Sequence, residues 1–118
     1  METATAQRIW SELLACGFTT VVVAQAAEQL VSSCTLAIVP NLTRGGRPYG
    51  VIENVVTHAD HHKQGLGRRI LAYALDIASW ANCYKVDLAT GSKRETTLHF
   101  YEEAGFERGG KTYFEVRR

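Results

Sequence analysis

The residues with the clearest capacity for chemistry are Gly65, Leu66 and Gly67, which follow His61-His62-Lys63-Gln64 and precede Arg68-Arg69. Before them runs a β-branched stretch from Tyr49 to Thr57 (YGVIENVVT), and after them apolar residues recur at helical spacing. A strand feeding a glycine turn and then a helix N-terminus gathers backbone N–H groups and the positive end of the helix dipole at one place. That arrangement suits an anion such as phosphate. Two nucleotide motifs are excluded. The dinucleotide fingerprint needs a third glycine where Ile70 stands, and the P-loop needs Lys-Ser/Thr where Arg68-Arg69 stands. His58, His61 and His62 invite a metal reading. Their spacing puts no stable pair on one helix face, and no second cluster of Cys, Asp or Glu completes four ligands, so no metal is expected. Arg44 and Arg47, around Gly45-Gly46, could meet an anionic substrate or simply be solvated loop charges.

These residues need elements to position them. Ala4 to Cys16 carries Ile9, Trp10, Leu13 and Leu14, with Gly17 beyond, and reads as a short amphipathic helix. Thr19 to Ala24 and Leu30 to Val39 read as strands of a hairpin, and Asn41 to Pro48 as a loop. Tyr49 to Thr57 is the third strand. A long helix follows the glycines to about Asn82, with Ile70, Leu71, Ala74, Leu75, Ala78 and Ala81 on one stripe. Tyr84 to Ala89 is a strand. Ser92-Lys93-Arg94-Glu95 matches a capping box, which predicts a helix from there to Ala104 with Gly105 as its stop. Phe106 to Glu107 and Thr112 to Val116 are expected to close the chain as a hairpin around Gly109-Gly110. The pattern is α/β, without repeats or linkers.

The chain has 118 residues, 46% hydrophobic and 21% charged, with a net charge of +1. That length fits one domain spanning residues 1–118. A near-neutral balance argues against nucleic acid as a partner, because such binders gain affinity from many phosphate contacts. No apolar run approaches the roughly 20 residues of a bilayer span, so no membrane role is expected. Cys16, Cys34 and Cys83 are odd in number and lack CxxC spacing, which points to reduced, mostly buried thiols in a cytoplasmic protein.

The segment His62-Lys63-Gln64-Gly65-Leu66-Gly67 resembles the pyrophosphate motif of the GNAT superfamily of acyl-CoA N-acyltransferases, Arg/Gln-x-x-Gly-x-Gly/Ala, with His62 at its first position. The resemblance continues through Tyr84-Lys85-Val86 and Phe100-Tyr101-Glu102-Glu103-Ala104-Gly105-Phe106, similar to the family's Phe-Tyr-x-x-x-Gly-Phe signature, and covers roughly Val21 to Val116. IENVV, QGLG, CYK and FYEEAGF look closest to glucosamine-phosphate N-acetyltransferases and their bacterial relatives. Two departures stand out: Arg94 occupies a position where the family usually has Asn, and one helix precedes Thr19 where the family normally has a strand and two helices. The fold this implies is a GNAT-like mixed central sheet with flanking helices, shortened at its N-terminus.

The resemblance also implies roles. Acetyl-CoA would be the cosubstrate and a small primary amine, possibly bearing an amino-sugar phosphate, the acceptor. His62, Lys63, Gln64, Gly65, Leu66, Gly67 and Arg68 would cradle the pyrophosphate. Val55, Val56 and Thr57 would lie where the third strand splays from the fourth, their backbone groups bonding the pantetheine amides and polarising the carbonyl. Tyr101 would be the general acid that protonates the leaving thiolate, and Glu53 the base that deprotonates the amine through water. Asp87 is a weaker candidate base. No residue has the setting of an activated nucleophile, so transfer would be direct. The alternative is a catalytically inactive acyl-CoA-binding module. A third possibility is that a homodimer, paired through C-terminal strand edges, supplies the wall of the acceptor pocket that the family's longer N-terminal part usually provides.

Overall fold

The computed structural model describes residues 1–58 and 65–118. Its elements are α1 (Thr3–Ala15), β1 (Thr19–Ala26), β2 (Gln29–Val39), a 3-10 turn (Arg44–Gly46), β3 (Tyr49–Thr57), α2 (Leu66–Trp80), β4 (Val86–Leu88) and α3 (Glu95–Glu103). The four strands form one sheet in the order β1-β2-β3-β4. β1–β2 and β2–β3 pair antiparallel, while β3–β4 pair parallel. The parallel step needs a crossover, and α2 supplies it. The expected α/β fold with a mixed sheet and flanking helices is what the chain adopts.

Packing follows the residue pattern read from the sequence. Ile70, Leu71, Ala74 and Ala78 form a buried stripe on α2, set against Val22 of β1, Cys34 and Leu36 of β2 and Ile52 of β3. Strand residues two apart share a face and helix residues three or four apart share a stripe, so one layer of apolar side chains fills the gap. Leu36 and Leu71 have no exposed surface. Leu71→Ala is therefore expected to lower unfolding free energy by about 2–5 kcal/mol. Urea denaturation would read this as a fallen midpoint at an unchanged slope.

Three expectations need correction. First, no C-terminal hairpin forms among the described residues. Phe106 donates its N–H to the Tyr101 carbonyl, and Arg108 pairs with Glu95 and Glu102, so the first arm is tied to α3 instead of to residues 112–116. Residues 111–118 are all exposed. Second, α3 begins at Glu95, and Arg94 is its N-cap with no side-chain cap bond. Ser92 lies too early to cap, and its hydroxyl instead accepts the Arg94 N–H in a local turn. Third, the cysteines are free thiols, but only Cys34 is buried. Cys16 is exposed, with its pKa lowered by the Thr19 hydroxyl, which donates to Sγ, and by backbone N–H groups.

Candidate active site

β4 pairs with β3 only at Gly50↔Val86, Val51↔Asp87 and Ile52↔Leu88. β3 runs on past this point, so the stretch from Glu53 to Val56 has no β4 partner opposite it. The two strands open at their carboxyl ends, where open α/β sheets take their ligands. A β-bulge marks the same place. Ser33 pairs with Val56 but Thr35 with Glu53, which sets Asn54 and Val55 of β3 against Cys34 alone. Asn54 has φ +56°, a left-handed conformation that asparagine tolerates better than β-branched residues do. The extra residue turns the backbone of β3 as it leaves the sheet, re-aiming its N–H and C=O groups. Past the bulge the strand is held by Ser32, whose hydroxyl donates to the Val56 carbonyl at 3.0 Å and lies 2.9 Å from the Thr57 hydroxyl.

The glycine turn opens at the same end. Gly65 is the N-cap of α2 with φ +72°, and among the described residues no atom would touch a Cβ built on it. Its requirement is conformational. Gly67 differs, because a Cβ there would sit 3.1 Å from Phe100 Cζ and 3.4 Å from Thr57 Oγ1. It is glycine because α2, α3 and the end of β3 converge on it. Leu66, Gly67 and Arg68 occupy the first turn, whose N–H groups have no intrahelical acceptor and are available to an anion. The Arg68 guanidinium is ion-paired with Glu103 of α3, which also meets His99 Nε2 at 2.5 Å. His61, His62, Lys63 and Gln64 lie outside the described residues, so the first half of the expected cradle and two of the three histidines are not placed.

The opposite lip of the opening is α3. Phe100 reaches Gly67, while Tyr101, one residue on, lines a small recess with Leu88, Thr90, Leu98 and Phe106. The Tyr101 ring is half-buried between two others, Phe100 at 5.1 Å and Phe106 at 6.3 Å between centroids. Burial, with a smaller contribution from the nearby Cys34 thiol, pushes the phenol above its usual pKa near 10. Glu53 is exposed at the first position beyond the last β3–β4 pair. It opens into a cavity of about 970 Å³ that follows β4 and is also lined by Val51, Lys85, Asp87, Phe106 and Tyr113. Val55 is half-buried and packs on the core, Val56 is exposed, and Thr57 is half-buried. The Asp87 carboxylate is engaged by Lys85 Nζ at 2.8 Å.

Arg44 and Arg47 stand elsewhere. Arg47 donates to the Asn82 and Cys83 carbonyls and closes the turn after α2, while Arg44 lies over the Tyr84 ring at 5.3 Å. Both sit where β3 begins, at the end of the sheet opposite the glycine turn, and do not join the candidate site.

Residues 2–106 match the family described as "Acetyltransferase (GNAT) family". The chain belongs to the GNAT acetyltransferase family. Members of the GNAT family use acetyl-CoA as cosubstrate. Among solved structures, one assigned as an acetyltransferase from Agrobacterium tumefaciens str. C58 is 42% identical, with TM-score 0.94 over 100% of this chain and 81% of that one. Glucosamine 6-phosphate N-acetyltransferase of Trypanosoma brucei brucei is 39% identical over 82 residues, 70% of this chain and 54% of that protein. The chain thus spans about half the length of that curated relative. AAC(6')-Iy, solved with the bisubstrate analogue CoA-S-monomethyl-acetylneamine, shares the fold at 14% identity and TM-score 0.81, over 99% of this chain and 81% of that one. Within this GNAT chain, Asn54 is the site feature that the sequence reading passed over. Its signal was an asparagine inside a β-branched run, a residue depleted in strands but tolerant of positive φ.

Proposed function

We propose that the chain is one domain that acts as an acetyl-CoA-dependent N-acetyltransferase on a small primary amine, with an amino-sugar phosphate as the favoured acceptor. The observation that carries this reading is the coincidence of three features at one end of the sheet: the β3–β4 opening with its bulge at Asn54, the glycine turn into α2, and the half-buried Tyr101. The proposed donor lies with its pyrophosphate on the first turn of α2 and its pantetheine arm along the exposed edge of β3, as an added strand would lie. The acceptor enters from the cavity beside β4, which offers Glu53 to an ammonium group and Lys85 to an anionic one.

The chemistry balances within this set. An ammonium group cannot attack, so Glu53 takes one proton through water and frees the nitrogen lone pair. The amine then adds to the thioester carbonyl carbon, and a backbone N–H near Val55 or Val56 stabilises the oxyanion that forms. Collapse breaks the carbon–sulfur bond, and the leaving thiolate takes the Tyr101 proton. As the amide forms, the nitrogen sheds its second proton, which passes through water to the Tyr101 phenolate. The amide, the free thiol, the neutral phenol and one protonated carboxylate then account for every atom and charge, and proton exchange with water restores Glu53.

Support for the amino-sugar phosphate comes from the trypanosomal relative's activity. The proposed setting is the cytoplasm, where acetyl-CoA is available and thiols stay reduced. A homodimer is also proposed: no strand among the described residues pairs with the outer edge of β4, and Tyr113, Phe114 and Val116 beyond it are exposed. Sedimentation is expected to give twice the monomer mass.

The deciding experiment measures thiol release from acetyl-CoA with glucosamine 6-phosphate, glucosamine and simple alkyl amines. Turnover highest with the phosphorylated sugar is expected. CoA binding without turnover on any amine would leave an acyl-CoA-binding module in place of the enzyme.

A further inference from the structure

We infer that Arg108 is a positioning residue for the Tyr101 phenol, holding Phe106 against it through paired contacts to Glu95 and Glu102. This inference rests on the proposed role of Tyr101. α3 ends at Glu103, and Gly105, with φ +107°, lets the chain reverse immediately afterwards. The reversal brings the Phe106 N–H to the Tyr101 carbonyl at 3.1 Å and stands the Phe106 ring edge-on to the phenol, at 88° between planes. Phe100 closes the other side at 68°. The phenol is therefore set by two rings, of which one belongs to α3 itself and the other to a segment that no strand secures.

Beside the Phe106 backbone bond and the packing of its ring on the core, the side chain that ties this segment to α3 is that of Arg108. Its Nε and Nη2 donate to the two oxygens of Glu102 at 3.1 and 2.7 Å, and its Nη2 and Nη1 donate to the two oxygens of Glu95 at 2.6 and 3.4 Å. Glu95 and Glu102 stand two helical turns apart, on one side of α3. Only a guanidinium offers enough donors in a fixed plane to bridge both carboxylates. Exposed ion pairs of this kind add little to global stability. Their effect here is local, because the same arginine lines the recess that holds Tyr101, Phe106, Leu88 and Thr90. Among the described residues, the charged and titratable groups around the phenol are Glu102 on its own helix, Glu107 and Arg108 in the returning segment, and Cys34 on β2.

A residue that acts only through the Tyr101 hydroxyl has no effect once that hydroxyl is gone. The test is a double-mutant cycle on the full chain with steady-state kinetics. Arg108→Gln is expected to lower kcat about tenfold, with KM for acetyl-CoA changed less than about twofold, since small misplacement of a reacting group is costly. Arg108→Lys should fall between the two. In a Tyr101→Phe background the same Arg108→Gln change should alter kcat less than about twofold. Equal losses in both backgrounds would mean a merely structural role and overturn the inference, leaving the proposed function standing. A Tyr101→Phe variant with wild-type kcat would overturn both. If Arg108→Gln does not fold by circular dichroism, Glu102→Gln removes the bidentate acceptor and enters the same cycle with the same expected pattern.

Discussion

Tyr101→Phe is expected to lower kcat by roughly 10²- to 10⁴-fold, the range that a positioned proton donor supplies, while leaving KM for acetyl-CoA nearly unchanged. The substitution removes one oxygen and no packing, because the contacts of the ring are to Phe100 and Phe106 and lie on its faces and edges. A change in kcat alone would therefore report the hydroxyl. The sign of the pH dependence follows from burial. Desolvation disfavours the phenolate, so the folded pKa lies above 10 and the group stays protonated throughout the neutral range. As a general acid it must be protonated, so activity should fall only as pH rises through that value. In the phenylalanine variant that alkaline fall should be missing. The same shift makes the neutral phenol a stabilising feature of the fold below its unfolded pKa near 10, lost as pH rises through the folded value. Retention of more than half the wild-type kcat in Tyr101→Phe would remove this residue from the reaction.

How far the site could be read from sequence depended on whether its signals were local. β3 was legible to the residue because its valines and isoleucine favour extended backbone between Pro48 and His58, and α2 because Ile70, Leu71, Ala74 and Ala78 fall on one stripe. The glycine turn was legible as a turn into α2, but the two glycines looked alike. Their different reasons, a positive φ at Gly65 and a three-way convergence at Gly67, depend on tertiary neighbours distant in sequence. The strand separation after Ile52 entered only through family resemblance, since no composition marks where a pairing stops. The C-terminal arm shows the limit most clearly. Thr112 to Val116 has strand composition, but a strand also needs a partner, and the ion pairs of Arg108 draw the segment before it onto α3. Arg44 and Arg47 fail for a similar reason: their charge was visible, but not the carbonyls and the ring that occupy them.

Gly67→Val is expected to weaken CoA binding about 10- to 100-fold, the equivalent of roughly 1–3 kcal/mol of overpacking. A valine Cβ would begin 3.1 Å from Phe100 Cζ, closer than side chains normally approach, and its two methyl groups would lie further out still. Thr57 Oγ1, at 3.4 Å, blocks the other direction and is held in turn by Ser32. The first turn of α2 must then move away from β3 or α3, and the N–H groups of Leu66, Gly67 and Arg68 move with it. Gly65→Ala provides the contrast. Its Cβ would meet nothing among the described residues, so the expected penalty is that of a positive φ, about 1–2 kcal/mol, and the turn can keep its place. Calorimetric titration with CoA should thus rank wild type, Gly65→Ala and Gly67→Val in falling order of affinity. Gly65→Asn should lie near wild type, because asparagine accepts the left-handed conformation. The reverse order, with Gly65→Ala the weaker binder, would mean that the turn's conformation governs the cofactor site, and that its seating against Phe100 and Thr57 does not.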